Sequence, residues 1–388
     1  MKQRISKTIL TIMVIIPLMI VKPVSAANTQ YSIIDLGTLG GAFSVGDGIN
    51  DNKISERGQV IGHSTTAFDE SHSFIWQNGI MTDLGVLDSE HSYTEARDIN
   101  NQGKIVGYSY APSGGAFLWH DGVMTNLGTL PGGDFSYAQA INESGQVVGA
   151  SNTALGVNQH AFLWQNGIMI DLGTLPGGTY SEAVAISDNG RIVGVSDIAS
   201  GETHTFLWQN NVMTDLGSLD SSSSYYPIAI NQNGQVVGYY SDPRLGESHG
   251  FLWENGVMTD LGSFDENYNT TRPVDINNLG QIVGYSRTPS GNYHAFLWQD
   301  GVMTDLGTLP GGINSFASDI NEKGQIAGGG DDGSLSFAVV WQNGVMTQLD
   351  RLGGTGNTIA LSINNRGQMT GQAYTENNEE SHAVLWTK

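Results

Sequence analysis

The sequence predicts an all-β protein, an eight-bladed β-propeller of four-stranded antiparallel blades in which an N-terminal strand completes the C-terminal blade. Three observations carry that prediction. The phrase HAFLWQDGVMTDLGTLPGG at 294–312 recurs in close copies along nearly the whole chain. All eight tryptophans (Trp76, Trp119, Trp164, Trp208, Trp253, Trp298, Trp341 and Trp386) fall inside it, 43 to 45 residues apart. Each repeat of about 44 residues divides into four short β-type runs between turn signals, with no helical periodicity.

The first element lies outside that pattern. MKQRISK is basic, the next 14 residues are apolar, and small residues precede a cut after Ala26. This reads as a secretory signal peptide over 1–26, too short for a comfortable membrane span, followed by a single propeller domain over 27–388. Secretion without membrane insertion is therefore the expected localisation.

Within a repeat, 93–128 for example, the first turn is Asn100-x-x-Gly103. It recurs at Asn142/Gly145, Ser187/Gly190, Asn231/Gly234, Asn277/Gly280, Asn321/Gly324 and Asn364/Gly367. A short polar side chain can bond the turn backbone, and a glycine three residues later supplies the positive φ. The intervening residues carry too few carboxylates for a calcium loop. The second turn is Asn-Gly or Asp-Gly in six copies, from Asn78-Gly79 to Asn343-Gly344, and Asn210-Asn211 in the fourth of the seven. That dipeptide between apolar runs is the strongest short hairpin signal. The ends of the domain are complementary. YSIIDLG at 31–37 is a fourth strand without the other three, and HAVLW at 382–386 is a third strand without a fourth. Pairing Ile33 and Ile34 with Val384 and Leu385 would remove two exposed sheet edges.

The order of strands and turns resembles that of WD repeats, although the WD signature is absent. The phrases are closer to the bacterial extracellular HAF repeat, with His160-Ala161-Phe162 and His294-Ala295-Phe296 intact beside LPGG and GQVVG. The resemblance covers essentially 31–388. It implies a secreted bacterial protein and transfers no catalytic residue.

Charge narrows the partners. The chain holds 16 basic and 38 acidic residues, a net −22. Loss of Lys2, Arg4, Lys7 and Lys22 with the leader leaves a formal −26. Phosphate backbones and anionic membranes would be repelled, so no nucleic-acid partner is expected. With no cysteine there is no thiolate catalysis, thiolate metal site or disulfide. No metal or other cofactor is expected, and the protein reads as a monomer.

Candidate functional residues are those that escape the repeat. His72, His160, His204, His249, His294 and His382 share one position, as do Asp83, Asp171, Asp215, Asp260 and Asp305. Ring symmetry keeps such residues apart, so they read as structural, the histidine tying strand to loop. The repeated Met81 to Met346 and the tryptophans read as packing between blades. The loops after the second strand differ in every repeat, and those after the fourth carry Phe43, Tyr93, Tyr137, Tyr180, Tyr225, Tyr226, Tyr268 and Phe316 near the channel. Both loop sets emerge on one face, where a rigid scaffold usually carries binding. The candidate binding residues are Phe43, Tyr93, Tyr137, Tyr180, Tyr226, Tyr268 and Phe316. Asp98, Asp275, Asp319, Arg97 and Arg272 add polar groups near the channel. The leading expectation is a module binding an extracellular glycan or surface protein. The alternative is a polysaccharide lyase or glycoside hydrolase using His91, Tyr93, Arg97 and Asp98 at the channel mouth, and a structural surface protein is the third.

Overall fold

The computed structural model describes residues 31–44, 53–88, 93–110, 114–154, 158–219, 224–242, 247–265, 267–353, 356–375 and 380–388. The proposed leader and His91 lie outside them. The described strands form eight antiparallel sheets, each a meander of four, with one sheet carrying its innermost strand in two pieces. This is the eight-bladed propeller that the sequence predicts. We number the blades along the chain. Blade 1 runs from Gly40 to Asp83, blade 2 from Tyr93 to Asn126, blade 3 from Ser136 to Gly173, and blade 4 from Ser181 to Asp215. Blade 5 runs from Ser224 to Asp260, blade 6 from Thr271 to Asp305, and blade 7 from Ser315 to Gln348. Blade 8 is Thr358–Ile363, Met369–Tyr374 and Ser381–Thr387, completed by Ser32–Asp35 from the other end of the chain.

That closure is antiparallel, with Ile33 opposite Trp386, Ile34 opposite Leu385 and Asp35 opposite Val384. The register corrects the expected pairing of Ile33, which faces Trp386. The burial differs too: Ile34 is 37% exposed, whereas Tyr31 and Leu36 are 5% exposed and anchor the strand.

Among the described residues the apolar side chains gather between blades rather than in one central core. Eight apolar clusters lie one between each pair of adjacent blades. Ile61 and Ile75 of blade 1, for instance, pack on Ala96, Ile105, Phe117 and Trp119 of blade 2. Third-strand phenylalanines Phe74, Phe117, Phe162, Phe206, Phe251 and Phe296 are fully buried in these seams. Blades 7 and 8 carry Val339 and Val384 instead. There Trp341 and Trp386 turn inward, to 1% and 0% exposure, and their indole N–H groups donate to the carbonyls of Leu306 (3.0 Å) and Asp350 (2.8 Å). A smaller neighbour lets the tryptophan occupy the space a phenylalanine fills elsewhere.

Two polar devices join the seams. On the tight-turn face, Asn100, Asn142, Asn231, Asn277, Asn321 and Asn364 each donate a side-chain N–H to a turn carbonyl of the next blade, at 2.9–3.1 Å. Blade 4 has the shorter Ser187, and Asn189 and Arg191 reach Gln232 O in its place. On the loop-rich side, an inner-strand hydroxyl accepts the third-strand N–H of the preceding blade, as Ser136 does from Ala116 (3.0 Å) and Ser44 from Ala383 (3.0 Å). These N–H groups lie where the outer strand departs, so the hydroxyl fills a vacancy in the ladder.

The repeated histidine and aspartate form a single device. His72 pairs with Asp83 (2.7 Å), His160 with Asp171 (3.0 Å), His204 with Asp215 (2.9 Å), His294 with Asp305 (2.8 Å) and His382 with Asp35 (2.9 Å), with a longer 3.6 Å approach of His249 to Asp260. Each aspartate also accepts the N–H of the glycine two residues on, as Asp35 does from Gly37 (2.8 Å). Gly115 and Phe337 replace the histidine in blades 2 and 7, where Asn126 and Gln348 replace the aspartate. Both members of the pair are lost together.

The closing pair makes a pH prediction. Burial alone would raise the Asp35 carboxyl, but hydrogen bonds from His382 and Gly37 outweigh it and hold it below the usual 3.8. His382 is raised above 6.5, chiefly by its hydrogen bond to Asp35. The stabilisation is therefore complete between the two titrations. It is lost above, as the imidazole deprotonates through its raised folded pKa, and below, as the carboxyl protonates through its lowered one. Melting temperature against pH should show this bell-shaped contribution, and His382→Ala should flatten it. An identical profile in the variant would refute the assignment.

Candidate functional site

In blades 2 to 8 the inner strand shifts register once, as between Ala96 and Asp98 or between Pro273 and Asp275. The bulge presses the inner strand onto the second, where the sequence places glycine. A Cβ at Gly107 would lie 1.8 Å from Glu95 O, and one at Gly149 or Gly284 would lie 2.0 Å from Tyr137 O or Arg272 O. Glycine is required here because backbone approaches backbone. The residues whose carbonyls it meets hold one equivalent position on the loop-rich side, Glu95, Tyr137, Glu182, Tyr226, Arg272, Phe316 and Ile359 in blades 2 to 8, and Tyr137, Arg272 and Phe316 lie there against rings of the preceding blade.

Two aromatic clusters surround the channel mouth on that side. The first spans blades 2 to 4. Tyr93 stacks on Tyr110 at 5.7 Å and meets Tyr108 edge-on, and Tyr108 in turn meets Phe135 and Tyr137 across the seam. Glu95 accepts a short hydrogen bond from the Tyr108 hydroxyl and pairs with Arg97, which lies over the Tyr108 ring. Gln159 donates to the Tyr137 hydroxyl (2.9 Å), while Glu182 accepts from Tyr180 (2.7 Å) and Gln139 (2.8 Å). The second cluster spans blades 5 to 7. Tyr226 stacks on Tyr239 at 5.2 Å, Arg272 lies 3.8 Å over Tyr239, and Tyr285, Tyr293 and Phe316 pack edge to face. Tyr268 carries Arg287 at 4.4 Å.

The structure thus divides the aromatic candidates. Tyr137 and Phe316 sit in seams against the ring of the preceding blade, and Tyr180 is half-buried against Glu182. Phe43, Tyr93, Tyr226 and Tyr268 are 38–53% exposed. Tyr225, adjacent to Tyr226, is fully buried on Tyr240 and Phe251, and its hydroxyl accepts the Leu219 N–H (2.7 Å).

Of the residues considered for catalysis, Arg97 turns up to Glu95 and Tyr108, whereas Asp98 turns into the channel. There it pairs with Lys53 Nζ (3.2 Å) and accepts the Ile141 N–H (2.9 Å) of the next blade. Asp319 likewise bonds Ser362 Oγ (2.7 Å) and Ile363 N (2.8 Å). Burial and the neighbouring Asp319 push the Asp275 carboxyl well up. At Lys53, burial is outweighed by Asp98, Asp319 and Asp275, which keep the ammonium protonated. The channel acids thus fasten one inner strand to the next. Burial, with Glu95 or Glu182 close by, raises Tyr108, Tyr137 and Tyr180 above the usual 10, so all three remain protonated donors at neutral pH. The loop-rich face thus presents the ring faces of Phe43, Tyr93, Tyr226 and Tyr268, held beside hydroxyls and amides that bond one another.

No protein-family model and no curated protein matches the chain, so the HAF resemblance rests on the phrases quoted above. Solved structures are similar in fold. A puromycin-hydrolysing peptidase of Mycobacterium tuberculosis aligns at 11% identity and a TM-score of 0.50, over 84% of this chain and 57% of that one. A prolyl endopeptidase aligns at 12% and 0.48, over 81% and 47%. The chain therefore spans about half the length of these two proteins. Aleuria aurantia lectin in complex with a fucose disaccharide aligns at 13% and 0.33, over 66% and 96%. At these identities the likeness is one of fold: the chain is a β-propeller with a diversified channel mouth.

Proposed function

We propose that the protein is a secreted binding module that recognises a glycan across the loop-rich mouth of its channel. One observation carries the reading. In a frame whose turns, seams and His–Asp pairs repeat, the mouth position changes with each blade (Glu95, Tyr137, Glu182, Tyr226, Arg272, Phe316, Ile359). Some of these residues pack across a seam, as Tyr137 and Phe316 do, but the change of chemistry from blade to blade, with Tyr226 exposed, suits an asymmetric ligand. Stacked tyrosines with hydroxyl and amide partners suit sugar rings, which present an apolar face and a hydroxylated edge.

The test is a glycan array with the 27–388 protein, followed by titration of the best ligand. Tyr93→Ala with Tyr226→Ala should weaken binding about tenfold or more, at about 1 kcal/mol per ring, with little change in melting temperature. Glu143→Ala and Lys323→Ala, on the tight-turn face, should leave affinity unchanged. Unaltered affinity in the tyrosine variant would overturn the reading. New reducing ends that vanish in Arg97→Ala would replace it with catalysis. Secretion has its own check: the intact mass of protein in the culture medium should match a chain beginning at Ala27.

A further inference from the structure

Blade 6 carries two guanidinium groups on the loop-rich face. Arg272 lies 3.8 Å over the ring of Tyr239, and Arg287 lies 4.4 Å over that of Tyr268. Arg272 faces Tyr285 in the ladder, and Arg287 stands two residues beyond Tyr285 on the second strand. Both side chains therefore leave the same face of the sheet as diagonal neighbours.

Neither has a carboxylate or carbonyl partner among the described residues. Two other arginines of the ring are engaged, Arg97 with Glu95 and Arg191 with Gln232 O at 3.1 Å, while Arg351, 4.7 Å over Phe337, keeps one nitrogen buried. The nitrogens of Arg272 and Arg287 are also not among the buried unsatisfied atoms, so their donors face solvent. Stacking on an aromatic face fixes the plane of a guanidinium and leaves its edge donors aimed outward. That is the geometry in which arginine takes an oxyanion bidentately.

Resting on the glycan reading above, we infer that Arg272 and Arg287 form its specificity element and hold an anionic substituent, carboxylate or sulfate, on an otherwise uncharged saccharide. The rest of the ligand is uncharged because Glu95, Glu182 and the net charge of −22 would repel a polyanion. A neutral ring stacks on Tyr226 while the neighbouring acidic sugar reaches the pair.

The experiment compares a tetrasaccharide bearing one glucuronic acid, the same compound with its carboxyl reduced to the alcohol, and inorganic sulfate, at fixed ionic strength. The wild-type protein should bind the acidic form about tenfold more tightly than the reduced one, as charge-assisted hydrogen bonds to one group allow. Arg272→Gln and Arg287→Gln should each bring that ratio towards one with the melting temperature nearly unchanged, the ratio of the two affinities and not the affinity for the reduced form being the readout. Arg272→Lys, which keeps the charge and loses the fork, should retain only part of the preference. Sulfate should raise the melting temperature of the wild-type protein and not that of the double variant. Equal binding of the two saccharides, or a preference that survives both glutamine substitutions, overturns the inference and leaves the glycan reading standing. If neither saccharide binds but the sulfate effect is lost in the double variant, the glycan reading fails and the arginine pair remains an anion site. Absence of any sulfate effect in that case removes both.

Discussion

Deletion of residues 31–37 should cost the ring on the order of 5 kcal/mol, enough to unfold much of a protein of ordinary stability. Four ladder pairs, each with a modest net hydrogen-bond contribution, disappear with Ser32–Asp35. The buried side chains of Tyr31 and Leu36 leave the seams around blade 8, at about 1.5–3 kcal/mol each. The His382–Asp35 pair goes with them. The third strand, Ser381–Thr387, becomes an uncovered edge of apolar residues, so the truncated chain should also self-associate. Chemical denaturation and light scattering test both effects. A truncated protein that stays monomeric and unfolds at the same denaturant concentration would show that closure contributes nothing.

The second large effect is expected at Asn321, 4% exposed in the belt of the tight-turn face. Its carbonyl oxygen accepts the N–H groups of Lys323 and Gln325 (3.0 Å each), and its amide donates to Gln325 Oε1 (2.8 Å) and Asn364 O (2.9 Å). Asn321→Asp keeps the shape and the accepting oxygen but sets a second oxygen against two acceptors. We expect a loss of about 2–4 kcal/mol at neutral pH. The new carboxyl should be raised in the folded state, because its protonated form restores one donor. The penalty is therefore largest above that folded pKa and shrinks as pH falls towards the ordinary carboxylate range. A loss that is pH-independent, or below about 0.5 kcal/mol, would contradict the belt.

Most of the architecture was legible because it is written locally and repeated. Asn78-Gly79 and its copies specify a turn by themselves, and their asparagines and aspartates do adopt φ of 50–53°. The two halves of blade 8 could be matched because each lacks what the other supplies. What escaped the sequence is what crosses a seam. Asn100 is readable as a turn residue, yet its amide reaches Asn142 in the next blade. The joint loss of His and Asp in blades 2 and 7, and the exchange of Phe for Val beside Trp341 and Trp386, were present in the repeats as paired differences. Their meaning needed the register of one strand on another. Tyr225 and Tyr226 illustrate the limit for the site: adjacent tyrosines point to opposite faces of one strand, and only the second reaches the mouth. Arg272 and Arg287 are 15 positions apart and come together through one strand pairing.

The closure in blade 8 also sets the order of events in folding. Ser32 and Thr387 are partners 355 residues apart, so this pairing carries a far larger loop-closure cost than any within a blade. Each of the other blades joins consecutive strands through local hairpins, with short loops to close. Blades can therefore form locally, but the ring stays open until Ser32–Asp35 pairs with Ser381–Thr387. Because each apolar seam is shared between neighbours, an open ring leaves the flank of blade 1 without its partner until that moment. The chain thus becomes a single cooperative unit only when its two ends meet, and a truncated product carries a sticky, unfinished edge.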